Sequence, residues 1–185
     1  MTIPNLITCI RIILTPIFII YLINGDLLSA IIVFILAGLS DGADGLIARL
    51  FDQKSKVGAY LDPLADKILL IAAFVVLAVE GFLPSWLTVV VISRDLLILL
   101  GVLILFVNKM AFSLKPSLPS KVTTCLQLAT VFIVLSENYI PFFSRFIEYL
   151  FWITGFSTIT SGLLYMRNWF RMVGEEPMAE QQHGP

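Results

Sequence analysis

Four aspartates interrupt apolar stretches of the chain at spacings that suit the binding of a divalent metal. Asp41 and Asp44 are three residues apart, and Asp62 and Asp66 are four residues apart. Residues three or four apart share a face of a helix, so each pair directs two carboxylates the same way. A short hairpin joins the two segments, which allows the two faces to meet. Four converging carboxylates repel one another, and a hard cation with oxygen ligands, Mg²⁺ or Mn²⁺, would relieve that repulsion.

Each acidic residue also has a purely structural interpretation. Asp62 followed by Pro63 is typical of a helix N-cap with proline at the first helical position. Asp44 and Arg49 could form an ion pair at a helix end. For the four carboxylates together the functional interpretation is stronger. Charges in an apolar stretch are costly, and acidic pairs on facing helices need a common counter-ion.

The composition around these residues indicates a lipid-facing protein. Of the 185 residues, 58% are hydrophobic and 14% are charged, and the mean hydropathy is +0.95. A soluble domain carries about 25% charged residues. The net charge of −1 does not indicate a nucleic-acid partner. The single histidine, His183, lies in a polar segment away from the aspartates, which argues against zinc and against a catalytic imidazole.

Six apolar stretches predict transmembrane helices, because about 20 residues cross a bilayer. They are Asn5–Ile23, Leu27–Leu50, Leu61–Val79, Ser85–Val107, Lys121–Leu135 and Phe146–Met166. The fifth is short, so we expect it to begin earlier or to end later. The first lacks the basic cluster and the cleavage site of a signal peptide, and we expect it to be retained as a helix over Ile3–Ile23. We predict an all-α, polytopic membrane domain over residues 1–173 and a polar, disordered tail over residues 174–185.

The basic residues predict the orientation of these helices. With the N-terminus in the cytoplasm, the inward-facing ends and loops carry Arg49, Lys54, Lys56, Lys67, Lys109, Lys115, Lys121, Arg167 and Arg171. The opposite side carries Arg145. Basic residues concentrate on the cytoplasmic side of membrane proteins. We therefore predict a protein of a bacterial-type inner membrane whose site faces the cytoplasm.

The aspartates belong to a longer motif that resembles the signature of the CDP-alcohol phosphatidyltransferase family. That signature is D-x2-D-G-x2-A-R-x8-G-x3-D-x3-D, and every fixed position is present and in register. The positions are Asp41, Asp44, Gly45, Ala48, Arg49, Gly58, Asp62 and Asp66. The similarity extends from Ile3 through the fifth predicted helix. Eight fixed positions with fixed gaps are far more specific than a lone glycine motif.

The resemblance implies a reaction and a role for each of these residues. Members of the family transfer a phosphatidyl group from CDP-diacylglycerol to an alcohol, in a six-helix membrane domain that is commonly a homodimer. By this resemblance Asp41, Asp44 and Asp62 ligate two Mg²⁺ or Mn²⁺ ions. Asp66 completes the metal site and acts as the general base toward the acceptor hydroxyl. The positions that match those holding the CDP moiety are Gly45, Ala48, Arg49 and Gly58.

Three cations could hold the acceptor alcohol on the cytoplasmic side: Lys67, Arg94 and Lys121. Thr124 and Gln127 follow Lys121 at three-residue spacing, and we expect the three side chains to line one helix face. We therefore predict that Lys67, Arg94, Lys121 and Thr124 bind the acceptor. Arg94 has a structural alternative, because a cation within an apolar stretch often pairs with a nearby acid.

Two acceptors fit the resemblance to the subgroup that acts on glycerol compounds. Phosphatidylglycerophosphate synthases use glycerol 3-phosphate, and eukaryotic-type cardiolipin synthases use phosphatidylglycerol. The segments Ser93–Asp95 and Ser120–Thr124 match the second group better, since the second lysine of a G-K-x-K-T pattern is missing. Three cations suit a dianionic phosphate, and the first reaction is the more widespread. On these two grounds we predict glycerol 3-phosphate and keep phosphatidylglycerol as the alternative.

A hypothesis of another class is a non-enzymatic divalent-cation transporter with the aspartates along its ion path. Such a path requires charges spread across the membrane. Here the acidic residues gather near one predicted face, beside a basic loop that suits a phosphate-bearing substrate. The enzyme hypothesis is therefore the stronger one.

We expect phosphatidyl transfer to depend on divalent metal. A chelator should abolish the release of CMP from CDP-diacylglycerol, and Mg²⁺ or Mn²⁺ should restore it, because carboxylate oxygens suit hard cations. The measurement is CMP released by the purified protein as the metal concentration is raised. Full activity in excess chelator would show that the metal hypothesis is wrong.

Overall fold

The computed structural model describes residues 3–50, 58–107 and 118–175, with side chains placed for 10–40, 67–101, 118–167 and 169. These parts of the chain contain six α-helices, one 3₁₀ turn and no β-strand, which confirms the all-α prediction. The helices are α1 (Ile3–Ile23), α2 (Leu27–Leu50), α3 (Gly58–Val79), α4 (Ser85–Val107), α5 (Leu118–Ser136) and α6 (Ile147–Glu175). The 3₁₀ turn covers Phe143–Arg145, just before α6.

Most helix bounds agree with the predicted apolar stretches. α2 and α4 begin and end at the predicted residues. α5 begins at Leu118, ahead of the predicted Lys121, as we expected for so short an apolar stretch. α6 continues to Glu175, well past the predicted Met166. Helical hydrogen bonding does not require apolar side chains, so a helix can outlast the hydrophobic stretch that identifies it.

The start of α3 removes one structural interpretation of the acidic cluster. The helix begins at Gly58 rather than at the predicted Leu61. Asp62 therefore lies inside the helix, and the hypothesis that it is the N-cap is wrong. The search for apolar stretches missed the first turn of α3, because glycine, alanine and tyrosine are less hydrophobic than the leucine that follows them.

Glycines with positive φ end α1 and α3. Gly25 (φ 73°) and Gly81 (φ 79°) adopt the left-handed conformation that residues with a Cβ disfavour. After α1, the Gly25 N–H donates to the Leu22 carbonyl and the Asp26 N–H donates to the Tyr21 carbonyl, both at 3.0 Å. These two bonds form a Schellman motif, which closes α1 and lets the chain reverse into α2.

Asp26 caps the start of α2. Its Oδ2 accepts a hydrogen bond from the Ser29 hydroxyl at 2.6 Å, and its Oδ1 accepts one from the Ser29 backbone N–H at 3.1 Å. These bonds, the hydroxyl bond first, hold the pKa of Asp26 below its ordinary value. The ionised cap therefore stabilises α2 above the ordinary carboxyl pKa. That stabilisation is lost as the pH falls through the lowered pKa of the folded state.

The helices pack in two groups that share one apolar core. α1 packs against α2 and α3, and α6 packs against α4 and α5, while α5 also contacts α2 and α3. The core includes the fully buried side chains of Phe18, Phe74, Leu77, Leu87 and Val131. This arrangement brings the middle of α4 close to α3, α5 and α6, where the polar residues described below meet.

Large apolar side chains also cover the outside of the bundle. Ile13, Val89, Trp152 and Phe156 are each at least 60% exposed. An apolar surface spread over the helices in this way is unusual for a soluble monomer and suits contact with lipid or with another protein.

One helix in the described part of the chain, α5 over Leu118–Ser136, is long and apolar enough to cross a membrane by length and composition. Shorter apolar helical stretches are Ile10–Ile23, Leu27–Ser40 and Lys67–Val79. Six α-helices are confirmed over residues 3–50, 58–107 and 118–175, whereas six membrane-spanning helices stay a prediction.

α4 and α6 approach closely where a glycine lies opposite an aromatic ring. A Cβ added to Gly155 would lie 2.6 Å from Cζ3 and 2.9 Å from Cη2 of Trp86. The Trp86 ring also packs against Trp152, with ring centroids 4.9 Å apart. Small residues at such contacts let two helix backbones approach, and here the indole ring occupies the space that glycine leaves.

We expect Gly155→Ala to lower the free energy of unfolding by about 1–3 kcal/mol, because the added methyl overpacks the contact with Trp86. Gly38→Ala is the matched control, since a Cβ at Gly38 meets no described atom within 4 Å. Alanine is also the better helix former by about 0.5–1 kcal/mol. Thermal unfolding in detergent micelles measures both variants. Equal melting temperatures for the two would contradict the close packing of α4 and α6 at this position.

Candidate active site

The backbone places the four aspartates on two successive helices. Asp41 and Asp44 lie in the last turns of α2, and Asp62 and Asp66 lie in the first turns of α3. Their helical spacing is thus as predicted. Their side chains fall outside the residues whose side chains the structure describes. The same holds for the predicted CDP-binding positions Gly45, Ala48, Arg49 and Gly58, so the roles of all eight stay predictions.

Lys67 follows Asp66 directly, and its side chain is the first in α3 that the structure describes. The Lys67 Nζ lies 2.6 Å from Oδ1 of Asp95 in α4 and donates a hydrogen bond to it. The Lys67 side chain is 27% exposed, whereas that of Asp95 is 2% exposed. The ion pair therefore joins the acidic end of α3 to a buried carboxylate in α4.

Arg94 converges on the same carboxylate oxygen. Its Nη1 donates to Asp95 Oδ1 at 2.6 Å. Its Nη2 donates to the hydroxyls of Ser120 in α5 at 2.7 Å and of Ser161 in α6 at 3.1 Å. Arg94 is 3% exposed, so burial strengthens these contacts and makes an unpaired charge here costly. One guanidinium thereby connects α4, α5 and α6.

Two buried polar atoms of this network lack a hydrogen-bond partner among the described residues: Oδ2 of Asp95 and Nε of Arg94. A buried carboxylate oxygen without a donor is unfavourable, because it has lost its water. Among the described residues, the Asp95 carboxylate therefore accepts from both cations with one oxygen and from no donor with the other.

The network confirms that Arg94 pairs with a neighbouring acid, the structural alternative to acceptor binding. Adjacent residues on a helix point in different directions and rarely meet. The length of the arginine side chain allows Nη1 to reach Asp95 nonetheless. The role of Arg94 in acceptor binding stays a prediction. Ser161, which sequence reasoning missed, lies far along the chain from Arg94, and no local pattern connects the two.

The three side chains that we predicted to line one face of α5 differ in their burial. Lys121 is exposed, Thr124 is half-buried, and Gln127 is fully buried. The Thr124 hydroxyl donates to the Ser120 carbonyl, and the Gln127 Nε2 donates to the Thr158 hydroxyl of α6 at 3.2 Å. The prediction of one shared face is wrong, because a separation of six residues leaves the first and last side chains about 120° apart around the helix axis.

A row of polar contacts joins α5 to α6 instead. The hydroxyls of Thr123 and Ser157 lie 2.9 Å apart, and those of Thr130 and Thr154 lie 2.8 Å apart. Together with the amide of Gln127, these side chains form an interhelical row that we call the α5–α6 polar row. The members on α5 are spaced i, i+4 and i+7, the spacing of one helix face. That spacing was the available sequence signal for this interface.

The family model for CDP-alcohol phosphatidyltransferases matches residues 1–160 of the chain. The chain is 36% identical over 183 residues to the cardiolipin synthase (CMP-forming) of Homo sapiens, with 89% of this chain and 60% of that protein covered. It is 35% identical over 195 residues to a cardiolipin synthase (CMP-forming)/mitochondrial hydrolase fusion protein of Schizosaccharomyces pombe, with 96% and 33% covered.

A bacterial relative is covered almost completely. The chain is 32% identical over 185 residues to the CDP-diacylglycerol–glycerol-3-phosphate 3-phosphatidyltransferase of Bacillus subtilis, with 90% of this chain and 94% of that protein covered. By contrast, the chain spans about a third of the Schizosaccharomyces pombe protein and three fifths of the human one.

We expect Arg94→Gln to lower the free energy of unfolding by about 3–5 kcal/mol, because it removes one of two cations that donate to a buried carboxylate. Lys121→Gln is the control, since Lys121 is exposed and surface substitutions change stability by about 0.5 kcal/mol or less. Melting temperatures in detergent measure both variants. A normal melting temperature for Arg94→Gln, together with a raised KM for the acceptor, would assign Arg94 to substrate binding rather than to the fold.

Proposed function

Because the chain belongs to the CDP-alcohol phosphatidyltransferase family, we propose that it transfers a phosphatidyl group from CDP-diacylglycerol to a glycerol-type acceptor. The family match over residues 1–160 carries this proposal, since it includes all eight signature positions. The names of the human and Bacillus subtilis relatives describe enzymes of this reaction class. Their acceptors differ, so the acceptor needs a separate argument.

The proposed reaction is one displacement at phosphorus. The acceptor hydroxyl oxygen forms a bond to the phosphorus of the phosphatidyl group, and the bond between that phosphorus and the oxygen of CMP breaks. The hydroxyl proton passes to the carboxylate of Asp66, the general base in this proposal. CMP leaves with the electron pair of the broken bond.

Metal would be held by the carboxylates of Asp41, Asp44, Asp62 and Asp66. The chemistry of this donor set fits Mg²⁺ or Mn²⁺, because all its ligand atoms are hard oxygens carried at helical spacings on two consecutive helices. When bound, two such ions would neutralise the diphosphate and the charge that develops during phosphoryl transfer. Arg49 would hold a phosphate of the CDP moiety, with Gly45, Ala48 and Gly58 leaving room beside it.

For the acceptor we favour phosphatidylglycerol, which would give cardiolipin. The sequence-based prediction of glycerol 3-phosphate rested on three cations that suit a dianionic phosphate and on the wider occurrence of that reaction. Two of these, Lys67 and Arg94, donate to one carboxylate oxygen of Asp95. Both cations are therefore engaged within the protein, which weakens the argument for a doubly charged phosphate. The Ser93–Asp95 segment also favours phosphatidylglycerol, because it matches the eukaryotic-type cardiolipin synthases better than the phosphatidylglycerophosphate synthases.

Glycerol 3-phosphate, which would give phosphatidylglycerophosphate, is the second candidate. The similarity to the Bacillus subtilis protein favours this acceptor. The name of that protein states glycerol 3-phosphate, and the chain covers 94% of its length. Lys121 is exposed and would be the cation available to a small, soluble phosphate.

We place the reaction at a membrane, with the aspartate ends of α2 and α3 on the cytoplasmic side. The exposed apolar side chains of the helices support contact with lipid, and the asymmetry of basic residues supports the orientation. Six membrane-spanning helices, a bacterial-type inner membrane and a homodimer belong to this proposal.

The test is product analysis by mass spectrometry with purified protein, CDP-diacylglycerol, Mg²⁺ and each acceptor separately. We expect cardiolipin and CMP from phosphatidylglycerol, at least tenfold faster than phosphatidylglycerophosphate forms from glycerol 3-phosphate. Asp66→Asn should reduce either product by about a hundredfold or more, because the general base is lost.

The other outcomes separate the alternatives. Phosphatidylglycerophosphate as the main product would reverse the choice of acceptor and leave the aspartate chemistry intact. Metal uptake into vesicles that contain the protein, with no CMP released from CDP-diacylglycerol, would favour the transporter hypothesis instead.

A further inference from the structure

A cavity lies at the far end of the bundle from the aspartates. It has a volume of about 410 Å³ and is formed by the turn between α3 and α4 together with the first turns of α6. Asp62 lies near the start of α3, and the cavity lies just past Val79, where α3 ends. A helix rises about 1.5 Å per residue, so about 25 Å of α3 separate the two. The cavity is therefore distinct from the proposed active site.

Four aromatic rings and one carboxylate line this cavity. Trp86 and Trp152 pack against each other with ring centroids 4.9 Å apart, and Phe82 and Phe151 are half-buried in the same lining. Glu148, in the first turn of α6, is exposed and is the one charged residue among the described residues that line the cavity. Within the described part of the chain no lysine or arginine forms a salt bridge with it. We call this place the Glu148 cavity.

The aromatic rings and the carboxylate attract the same chemical group. The face of an indole ring attracts an ammonium group, and a carboxylate adds an opposite charge. A ligand with negative charge alone would be repelled by Glu148. The turns at this end of the bundle add acidic Asp26, Glu80 and Glu137 against basic Arg145, so the surrounding charge also favours a cation. The volume of the cavity lies within the range of about 300–1,000 Å³ that is typical of small-ligand sites.

An exposed apolar stripe leads away from the Glu148 cavity along one face of α6. Its members, spaced three or four residues apart, are Tyr149, Trp152, Phe156, Ile159 and Leu163. From Trp152, which lines the cavity, to Leu163 the stripe extends about 17 Å. This length is close to half of the hydrocarbon core of a bilayer, which is about 30 Å thick. Because tryptophan is enriched at the level of the lipid headgroups, the cavity and the stripe match a headgroup and an acyl chain in position.

Going beyond the proposed reaction, and resting only on the membrane placement proposed above, we infer that the Glu148 cavity binds the ammonium headgroup of a zwitterionic phospholipid. The ammonium group contacts the carboxylate of Glu148 and the faces of Trp86 and Trp152, and an acyl chain lies along the α6 stripe. Phosphatidylethanolamine has such a headgroup. The lipid is a bound ligand of the leaflet opposite the aspartates and not a substrate, because about 25 Å of helix separate it from them.

The experiment is native mass spectrometry of the full chain, released from micelles that contain equal amounts of phosphatidylethanolamine and its N-acetylated form. The two lipids have the same acyl chains and differ in the ammonium charge, which acetylation removes. We expect the wild-type protein to retain phosphatidylethanolamine about fivefold to tenfold more than the N-acetylated lipid. This is the scale of one charge-assisted contact at a partly exposed site.

Four variants test the contacts one at a time. Glu148→Gln and Trp152→Leu should each reduce the preference to about twofold or less, because one removes the carboxylate and the other an aromatic face. Glu148→Asp keeps the charge and should keep most of the preference. Glu137→Gln is the matched control, since it removes one acidic charge at the same end of the bundle from a residue outside the cavity lining. Glu148 and Trp152 are exposed, so melting temperatures should stay near the wild-type value.

Two outcomes of this experiment would overturn the inference. One is equal retention of the two lipids by the wild-type protein, or an unchanged preference in both Glu148→Gln and Trp152→Leu. The other is a dimer that dissociates in Trp152→Leu with no change in lipid retention. That result would show that a second copy of the chain, and not lipid, covers the α6 stripe.

Release of CMP from CDP-diacylglycerol, measured separately, distinguishes this inference from the proposed function. Glu148→Gln should release CMP at the wild-type rate, because the cavity lies far from the aspartates. Wild-type protein that shows the lipid preference and releases no CMP would overturn the proposed reaction alone. Wild-type protein that releases CMP and shows no lipid preference would overturn the Glu148 cavity as a headgroup site alone.

Discussion

The buried carboxylate of Asp95 is the interaction on which the polar interior of the bundle depends. It accepts hydrogen bonds from Lys67 in α3 and from Arg94 in α4, and Arg94 in turn reaches α5 and α6 through two serines. Without this acid, two cations would face each other inside an apolar bundle, which is far more costly than the pairing itself is favourable. These hydrogen bonds therefore link α3, α4, α5 and α6 next to the helical turn that carries Asp66.

Two further sets of contacts hold α4, α5 and α6 together. α4 and α6 come together where Gly155 accommodates the Trp86 ring, and α5 and α6 come together along the α5–α6 polar row. In an apolar surrounding, contact between helices depends on close packing and on interhelical hydrogen bonds, because apolar side chains gain little by leaving lipid. Threonine and serine satisfy both needs, since they are small and carry a donor and an acceptor. These contacts join α4, α5 and α6, and Asp95 of α4 reaches the N-terminal part of α3 through its ion pair with Lys67.

Local chemistry explains why so much of the fold could be predicted from sequence. The bounds of α2 and α4 followed from apolar stretches that end at turn residues, and Gly25 and Gly81 occupy the positive-φ positions that turns require. The spacing of the aspartates on α2 and α3 followed from helical periodicity. The errors arose where a helix extends beyond the strongly apolar stretch, through Gly58–Tyr60 at the start of α3 and through polar residues at the end of α6. There the hydrogen bonding of the backbone, rather than the hydrophobicity of the side chains, determines where the helix ends.

The sequence by itself identified the family, because eight signature positions with fixed gaps lie within one short stretch of chain. It also predicted the order of the helices that the described residues form, since each helix depends on residues close in sequence. Only the tertiary structure decided which partners the cations take. Arg94 meets Ser120 and Ser161 at separations of 26 and 67 residues, and Lys67 meets Asp95 at a separation of 28. Such contacts depend on how the helices pack against one another. That packing is a property of the whole bundle, and no periodicity within a single helix encodes it.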